Sequence, residues 1–142
     1  MVEYKVVLTH NVNLTELYEF YRALNWWADS EPFNLDILQA IVQNSFCFAA
    51  AFDNNNKLIG IGRCLSDGAS DAYIQDVGVL EKYRGKGIGK KIIELLINHL
   101  RSKNINWISL IAEPNAAEFY YQFGFEIMKD YTPLKLNITK IK

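Results

Sequence analysis

Cations and glycines are concentrated at the point where a helix is predicted to begin. The stretch 84–91 combines three glycines with four cations: Gly85, Gly87, Gly89, Arg84, Lys86, Lys90 and Lys91. No acidic residue lies between Glu81 and Glu94 to balance them. Each cation at a helix N-terminus opposes the helix dipole by roughly 0.3–1 kcal/mol. A bound anion would remove this conflict, because free N–H groups at a helix start and a glycine-rich loop form a phosphate cradle. The stretch therefore predicts a phosphate site, with a solvated basic turn as the alternative.

The glycine spacing decides which phosphate motif fits. The P-loop pattern G-x-x-x-x-G-K-[ST] is absent, and the dinucleotide pattern G-x-G-x-x-G would need a glycine where Lys90 or Ile92 stands. The pattern that remains is Arg84-x-x-Gly87-x-Gly89. It resembles the pyrophosphate loop, Q/R-x-x-G-x-G/A, of the GNAT superfamily of acetyl-CoA-dependent N-acetyltransferases.

A second block resembles the same family. The segment NAAEFYYQFGF, residues 115–125, contains a tyrosine followed by Gly-Phe in the spacing Tyr120-x-x-x-Gly124-Phe125. The two blocks stand in the family's order, with an apolar strand between them. The resemblance covers about residues 46–128 by motif and the whole chain by order of elements.

The resemblance implies that coenzyme A lies between two splayed parallel strands, around Val79 and 107–112. Backbone groups of Val77 and Val79 would pair with the pantetheine arm and the acetyl carbonyl, and N–H groups of 84–90 with the pyrophosphate. Asn115 matches a position that often contacts the cofactor arm, although it could instead cap a helix. The cofactor-binding residues expected on this basis are Val77, Gly78, Val79, Arg84, Gly85, Lys86, Gly87, Ile88, Gly89, Lys90, Asn115 and Tyr120.

The implied reaction is direct attack of an amine on the thioester, and it needs two proton transfers. Tyr120, in the register of the family's tyrosine, would protonate the leaving thiolate; its alternative role is core packing. An alkylamine is protonated at pH 7 by roughly 4.6 kcal/mol, so its proton must also be removed. Family members often use a carboxylate or histidine on the strand before the loop, but the matching positions hold Tyr73 and Gln75.

Asp76 is the carboxylate of the segment 73–79 and is the candidate base or acceptor contact. Its alternatives are a solvated or strand-capping role, a water-relayed proton path, and an acceptor amine of low pKa. A bulge near Gly78 would change the face on which Asp76 lies. The acceptor side would be formed by the break 25–34 and the strand 72–76. The candidate substrate-binding residues are Trp26, Trp27, Phe33, Tyr73 and Gln75, although the tryptophans could instead fill the core.

Bulk properties limit the class of protein. The 142 residues correspond to one domain, 1–142, with 50% hydrophobic and 22% charged residues. A net charge of -1 gives no reason to expect nucleic acid or an anionic membrane as a partner. No apolar run approaches the ~20 residues of a membrane span, and no signal peptide is evident. Free thiols at Cys47 and Cys64 and a cytoplasmic location are expected, and no metal-ligand spacing is present.

The predicted elements that position these residues alternate between helices and strands. Strands are expected over 4–9, 46–52, 57–66, 72–80, 106–112, 124–128 and 133–138, and helices from residue 14, over 35–43, 88–102 and 115–122. Asn13 should cap the first helix. The order indicates an α/β (α+β) fold with a GNAT-like mixed, mostly antiparallel sheet flanked by helices, and splayed parallel strands at the cofactor cleft.

The leading hypothesis is an acetyl-CoA-dependent N-acetyltransferase that acts on a small-molecule amine, with a homodimer as a possible state. One alternative is a protein or peptide amine as the acceptor. The other is a non-catalytic acyl-CoA-binding module, which the lack of a carboxylate at Tyr73 and Gln75 would favour.

Overall fold

A computed structural model describes residues 3–28 and 32–140. The elements, in chain order, are β1 (Tyr4–Leu8), α1 (Leu14–Ala23), α2 (Leu35–Asn44), β2 (Cys47–Asp53), β3 (Leu58–Ser66), β4 (Asp71–Val79), α3 (Ile88–Ser102), β5 (Trp107–Leu110) and α4 (Ala117–Tyr121). Short 3-10 turns cover Glu81–Tyr83 and Ile138–Lys140. The chain divides into two compact units, Met1–Leu110 and Ile111–Lys142. The single-domain organisation stays a prediction.

The first unit contains a five-stranded sheet in the order β1-β2-β3-β4-β5. Three of its strand pairs are antiparallel, and β4 and β5 are parallel because α3 connects them. The expected fold class, a mixed and mostly antiparallel sheet with helices, is therefore confirmed.

Asparagine side chains cap the N-termini of the first two helices. The Oδ1 atom of Asn13 accepts a hydrogen bond from the N–H of Glu16 at 3.0 Å, as the sequence predicted. Asn34 does the same for the N–H of Ile37 at 3.2 Å. Each bond satisfies a backbone donor that the helix itself leaves unpaired.

Glycines in β3 let α3 approach the sheet closely. A Cβ atom at Gly62 would lie 2.6 Å from Cγ2 of Ile92, and one at Gly60 would lie 3.1 Å from Cδ1 of the same residue. The buried face of α3 consists of Ile88, Ile92, Ile93, Leu96 and Leu100. This packing holds α3 against β3, and residues 80–87 connect the end of β4 to the start of α3.

The two closing strands predicted over 124–128 and 133–138 are wrong, since the described part of the second unit contains α4, one 3-10 turn and no strand. The alternation of Leu134, Leu136 and Ile138 is typical of a strand, but a strand also needs a hydrogen-bonding neighbour, which periodicity does not supply. β5 is likewise shorter than the predicted 106–112, because it ends where its pairing with β4 ends.

Candidate functional site

A bulge interrupts β4 just before the residues assigned to the acyl arm. Ile61 of β3 pairs with Gly78, and Arg63 pairs with Gln75, so two steps along β3 match three steps along β4. The extra residue falls at Asp76 and Val77, slightly earlier than the expected position near Gly78. Asp76 has a φ of 53°, in the left-handed region. A bulged residue leaves the regular ladder, so backbone groups here are available to a ligand.

β4 also parts from β5 at this point. The parallel pairing runs from Asp71 opposite Trp107 to Ile74 opposite Leu110, and β5 then ends. β4 continues to Val79 without a strand partner on that side among the described residues. The segment 75–79 therefore presents an open strand edge, which is the splay that the family resemblance implied.

The glycine loop that follows fits a pyrophosphate. Gly87 is the N-cap of α3 with a φ of 83°. Gly85 has a φ of 75°, and a Cβ atom added to it would meet no other atom within 4 Å. The first turn of α3 contains no acidic residue. Left-handed backbone lets successive N–H groups point into a common concavity, which is the geometry that binds phosphate oxygens.

Side chains tie the loop to the sheet. The Nε atom of Arg84 donates to the carbonyl oxygen of Val79 at 2.9 Å, and the Tyr4 hydroxyl donates to the carbonyl oxygen of Lys86 at 3.0 Å. The ammonium of Lys91 lies 4.9 Å from the centroid of the Tyr4 ring, on the exposed surface. Arg84 thus links the end of β4 to the loop, and Lys91 lies on the surface beside Tyr4.

Asp76 is held by two donors from different elements. Its Oδ2 atom accepts a hydrogen bond from Nε of Arg63 at 2.7 Å and from the hydroxyl of Tyr21 at 2.8 Å. The Arg63 and Asp76 side chains are only 11% and 19% exposed. Burial, followed by the charge and hydrogen bond of Asp76, holds the pKa of Tyr21 far above its usual range, so Tyr21 stays a neutral donor. The assignment of Asp76 as a base stays a prediction.

Aromatic side chains at the end of α1 surround this network. Tyr21 stacks on Trp27 with ring centroids 5.3 Å apart and also contacts Trp26, while Tyr18 contacts Phe33 at 5.1 Å. Trp26 and Trp27 are half-buried and pack against the core, and Phe33 is 45% exposed. Both tryptophans therefore contact the core, and they share an aromatic cluster with the more exposed Phe33; the substrate-binding role of all three stays a prediction.

Gly78 allows α1 to approach β4. A Cβ atom there would lie 2.5 Å from Cδ1 of Leu24 and 2.8 Å from Cη2 of Trp26. The glycine is therefore required for this close approach. Tyr73 and Gln75 lie further back on β4 and are half-buried. The first unit thus contains the bulge, the glycine loop, the tryptophans and the two β4 residues assigned to the substrate, and Trp26 lies against β4 at Gly78.

The second unit contains the other two predicted residues, Asn115 and Tyr120. Asn115 has a φ of 64°, and the N-cap of α4 is Ala116, so its expected alternative as a helix cap is wrong. Asparagine tolerates this left-handed conformation better than most residues. The ring of Tyr120 packs edge to face against Phe119 and Phe125. Burial, with a smaller contribution from the charge of Glu113, raises the pKa of Tyr120, so its phenol keeps its proton at neutral pH.

Arg63 and Tyr21 are the site residues that the sequence reading missed. Arg63 stands inside the strand LIGIGRCLS, whose neighbours are apolar. A charged residue at such a position is seldom buried without a partner, and this was a usable signal. Tyr21 carried no signal, because its spacing on α1 is equally that of a core residue.

Two further observations concern metal binding and membrane spanning within residues 3–28 and 32–140. No group of three or more metal-ligating side chains converges within them. No helix in the described part of the chain has the length and apolar character needed to cross a membrane.

Comparison with known proteins places the chain among acetyltransferases. Residues 11–125 match the Acetyltransferase (GNAT) family. The chain is 35% identical over 118 residues to "Uncharacterized N-acetyltransferase ycf52" of Pyropia yezoensis, covering 81% of this chain and 66% of that protein. It is 37% identical over 102 residues to "Histone acetyltransferase TAP1" of Glycine max, covering 65% of this chain and 44% of that protein. It is 32% identical over 81 residues to "Serotonin N-acetyltransferase 2, chloroplastic" of Oryza sativa subsp. japonica, covering 57% of this chain and 40% of that protein.

The chain therefore spans 66% or less of the length of these relatives.

Solved structures share its fold. The GNAT family protein SP0256 from Streptococcus pneumoniae has a TM-score of 0.79 at 23% identity, covering 95% of this chain and 98% of its own. A predicted acetyltransferase from Clostridium acetobutylicum, described with acetyl-CoA, has a TM-score of 0.64 at 20% identity over 99% of both chains. The chain belongs to the GNAT family of acetyltransferases, whose acyl donor is acetyl-CoA.

Proposed function

We propose that this protein transfers the acetyl group of acetyl-CoA to the primary amine of a small molecule. One observation carries the proposal: the bulged end of β4 parts from β5 and leads directly into a left-handed glycine loop at the start of α3. An open strand edge next to an anion-binding helix start suits a ligand with an amide-rich arm and a pyrophosphate.

The cofactor-binding role rests on backbone geometry. N–H groups of 84–90 would hold the pyrophosphate, helped by the charges of Arg84 and Lys86. Backbone groups of Val77 and Val79 would bind the pantetheine arm and the acetyl carbonyl, because the pairing with β5 ends at Ile74 and leaves this edge of β4 open. Gly78 and Ile88 are proposed to contribute backbone groups only, since the side chain of Ile88 is buried, and Gly89, Lys90 and Asn115 are further proposed contacts.

Acetyl-CoA supplies a thioester carbonyl that the amine nitrogen attacks. A carbon–nitrogen bond forms, the carbon–sulfur bond breaks, and the sulfur takes a proton. Tyr120 is the proposed donor of that proton, and a positioned acid of this kind contributes about 10²–10⁴-fold. The proton that the amine loses passes to Asp76 or to a water-relayed path. The aromatic cluster of Trp26, Trp27 and Phe33 would receive the acceptor, together with Tyr73 and Gln75.

A protein or peptide amine is the second candidate acceptor. The identity to a protein named as a histone acetyltransferase favours it, whereas the exposed aromatic ring of Phe33 beside Tyr18 favours a small amine with an apolar part. A non-catalytic acyl-CoA-binding module, which has no acceptor, is the third candidate function.

The test is a panel of amines incubated with acetyl-CoA, with thiol release and product mass as readouts. The panel contains arylalkylamines, polyamines, amino sugars and a lysine-rich peptide. Tyr120→Phe should lower kcat by about 10²-fold or more while binding of coenzyme A is retained. Tyr121→Phe is the matched control, since it removes a hydroxyl from the next residue of α4, and it should keep wild-type kcat. Tight binding of coenzyme A without turnover of any amine would refute the enzyme and leave the binding module.

We also propose that the protein forms a homodimer through its C-terminal segment 133–138. Leu134, Leu136 and Ile138 are 89%, 71% and 75% exposed and alternate with Lys135 and Asn137. Apolar side chains with this degree of exposure are suited to an interface, and a second copy of the chain is the proposed partner. Light scattering should give twice the chain mass at micromolar concentration, and Leu134→Lys with Leu136→Lys should halve it. A monomeric wild-type protein would contradict this proposal.

The cytoplasmic location stays a prediction. Cys47 and Cys64 are directly opposed in β2 and β3, both are buried, and both are free, which supports a reducing compartment. The rice relative is named as chloroplastic, so a plastid is the alternative. Fractionation of cells that express the protein separates the two locations.

A further inference from the structure

The backbone at Asp76 adopts a conformation that needs support. A non-glycine residue with a φ of 53° is in the left-handed region. Such residues persist where the surroundings over-determine them. The residue that follows, Val77, is one of the residues whose backbone is proposed to bind the pantetheine arm and the acetyl carbonyl. A shift in the position of Asp76 would therefore also move the backbone of Val77.

Two donors from different elements determine the position of Asp76. Arg63 reaches its Oδ2 atom from the neighbouring strand β3 at 2.7 Å, and Tyr21 reaches the same atom from α1 at 2.8 Å. Arg63 is buried and its second nitrogen, Nη1, donates to Oγ of Ser45 at 3.4 Å. The carboxylate is therefore fixed from the strand beside it and from the helix packed over it.

The same tyrosine connects the bulge to the acceptor side. The ring of Tyr21 stacks on Trp27 and contacts Trp26, and Trp26 fills the space above Gly78. A single residue thus touches both the aromatic cluster and the carboxylate that anchors the bulge. The cluster and the strand edge cannot move independently while the Tyr21–Asp76 hydrogen bond is intact.

We propose that Tyr21 and Arg63 are positioning residues of the transfer reaction. Their hydrogen bonds to the Asp76 carboxylate fix the β4 bulge, and the bulge fixes the backbone of Val77, which is proposed to bind the acetyl carbonyl. This inference rests on the proposed function. It assigns no proton transfer to either residue, and it holds whether Asp76 acts as a base or only as an anchor.

The inference predicts that these residues discriminate acetyl-CoA from coenzyme A. Coenzyme A keeps the pyrophosphate but lacks the acyl carbonyl. Tyr21→Phe keeps the stacked ring and removes one donor to Asp76. We expect its affinity for acetyl-CoA to fall by about tenfold or more, as the loss of one hydrogen bond to a charged group predicts, while its affinity for coenzyme A stays within about twofold. The kcat with a working amine should fall by at least as much as the acetyl-CoA affinity.

A matched control separates positioning from general destabilisation. Ile105→Val removes one methylene from a fully buried residue outside the site. It should lower the melting temperature without changing the ratio of the two affinities. If Ile105→Val changes that ratio as much as Tyr21→Phe does, or if Tyr21→Phe changes neither the ratio nor kcat, the proposal for Tyr21 is overturned.

Comparison of a single variant with a double variant tests Arg63. Asp76→Asn leaves the Arg63 charge buried without its partner, whereas Asp76→Asn with Arg63→Gln removes both charges and keeps an amide oxygen for Tyr21. The proposal expects the double variant to bind acetyl-CoA at least threefold more tightly than Asp76→Asn alone. Equal affinities of the single and double variants would overturn the role of Arg63. Because the readout is binding, an absence of turnover in the wild-type protein would refute the proposed function without deciding this test.

Discussion

Gly78→Ala tests the fit between α1 and the strand edge that is assigned to the acyl arm. The added methyl group would lie 2.5 Å from Cδ1 of Leu24, and 2.8 and 2.9 Å from Cη2 and Cζ2 of Trp26. The end of the leucine side chain can move, but the indole is packed against Phe20 and Tyr21 with centroids 5.9 and 5.3 Å away. The substitution must therefore displace either the indole or β4.

The magnitude follows from two opposing contributions. Overpacking of a well-packed site costs about 1–3 kcal/mol. Replacing glycine by alanine at a position without a positive φ returns about 0.4–1 kcal/mol, because the unfolded chain loses freedom. The net expectation is a loss of roughly 1–2 kcal/mol, which corresponds to a fall of about 2–8 °C in Tm for a chain of this size.

The assay is urea unfolding followed by fluorescence, with Gly60→Ala as the control. A methyl group at Gly60 would meet its nearest neighbours at 3.1–3.3 Å, so the expected loss is smaller. Trp26→Phe in the Gly78→Ala background removes the two indole atoms and should recover part of the stability. A Gly78→Ala protein as stable as wild type, with unchanged affinity for acetyl-CoA, would refute the close packing of α1 on β4.

Three further predictions concern the loop and the first hairpin. Arg84→Ala removes a charge beside the glycine loop and the bond to Val79, so coenzyme A affinity measured by calorimetry should fall about tenfold, while Lys82→Ala should change it little; equal effects would contradict the role of Arg84. Gly87→Ala places a side chain at a φ of 83° and should lower stability by about 1–2 kcal/mol, and Gly87→Asn by less; equal losses would count against the left-handed N-cap. Hydrogen bonds from the N–H of Lys57, then from Tyr83 and the N–H of Asn55, hold the pKa of Asp53 below its usual value. Their stabilisation is present above the ordinary carboxyl pKa of about 3.9 and is lost as the pH falls through the lowered value, so Asp53→Asn should flatten the acid limb of the unfolding curve below about pH 4, and an unchanged limb would contradict it.

Local patterns predicted the features that short stretches of chain determine. The cap at Asn13, the start of α3 at Ile88 and the glycine loop before it all depend on residues close in sequence. The parting of β4 and β5 was expected only from the family resemblance. The bulge was expected from Gly78, and its displacement to Asp76 reflects contacts that no local pattern encodes.

Long-range contacts account for what the sequence reading missed. Tyr21 and Asp76 are 55 positions apart, and Arg63 and Asp76 are 13 apart, so their convergence depends on the register of β3 against β4 and on the packing of α1. The closing strands failed for a related reason. Leu134 and Leu136 have the alternation of a strand, but the alternation does not state whether the chain itself supplies a partner.

Hydrogen exchange with and without acetyl-CoA tests the central claim most directly, because it reports on the backbone groups that are proposed to bind the ligand. Addition of acetyl-CoA should slow exchange at the amides of 77–79 and 84–90, and should leave the β1–β2 strand pair unchanged. Coenzyme A should protect the loop amides as strongly and those of 77–79 less. Binding without protection of either segment, or protection confined to other elements, would contradict the account.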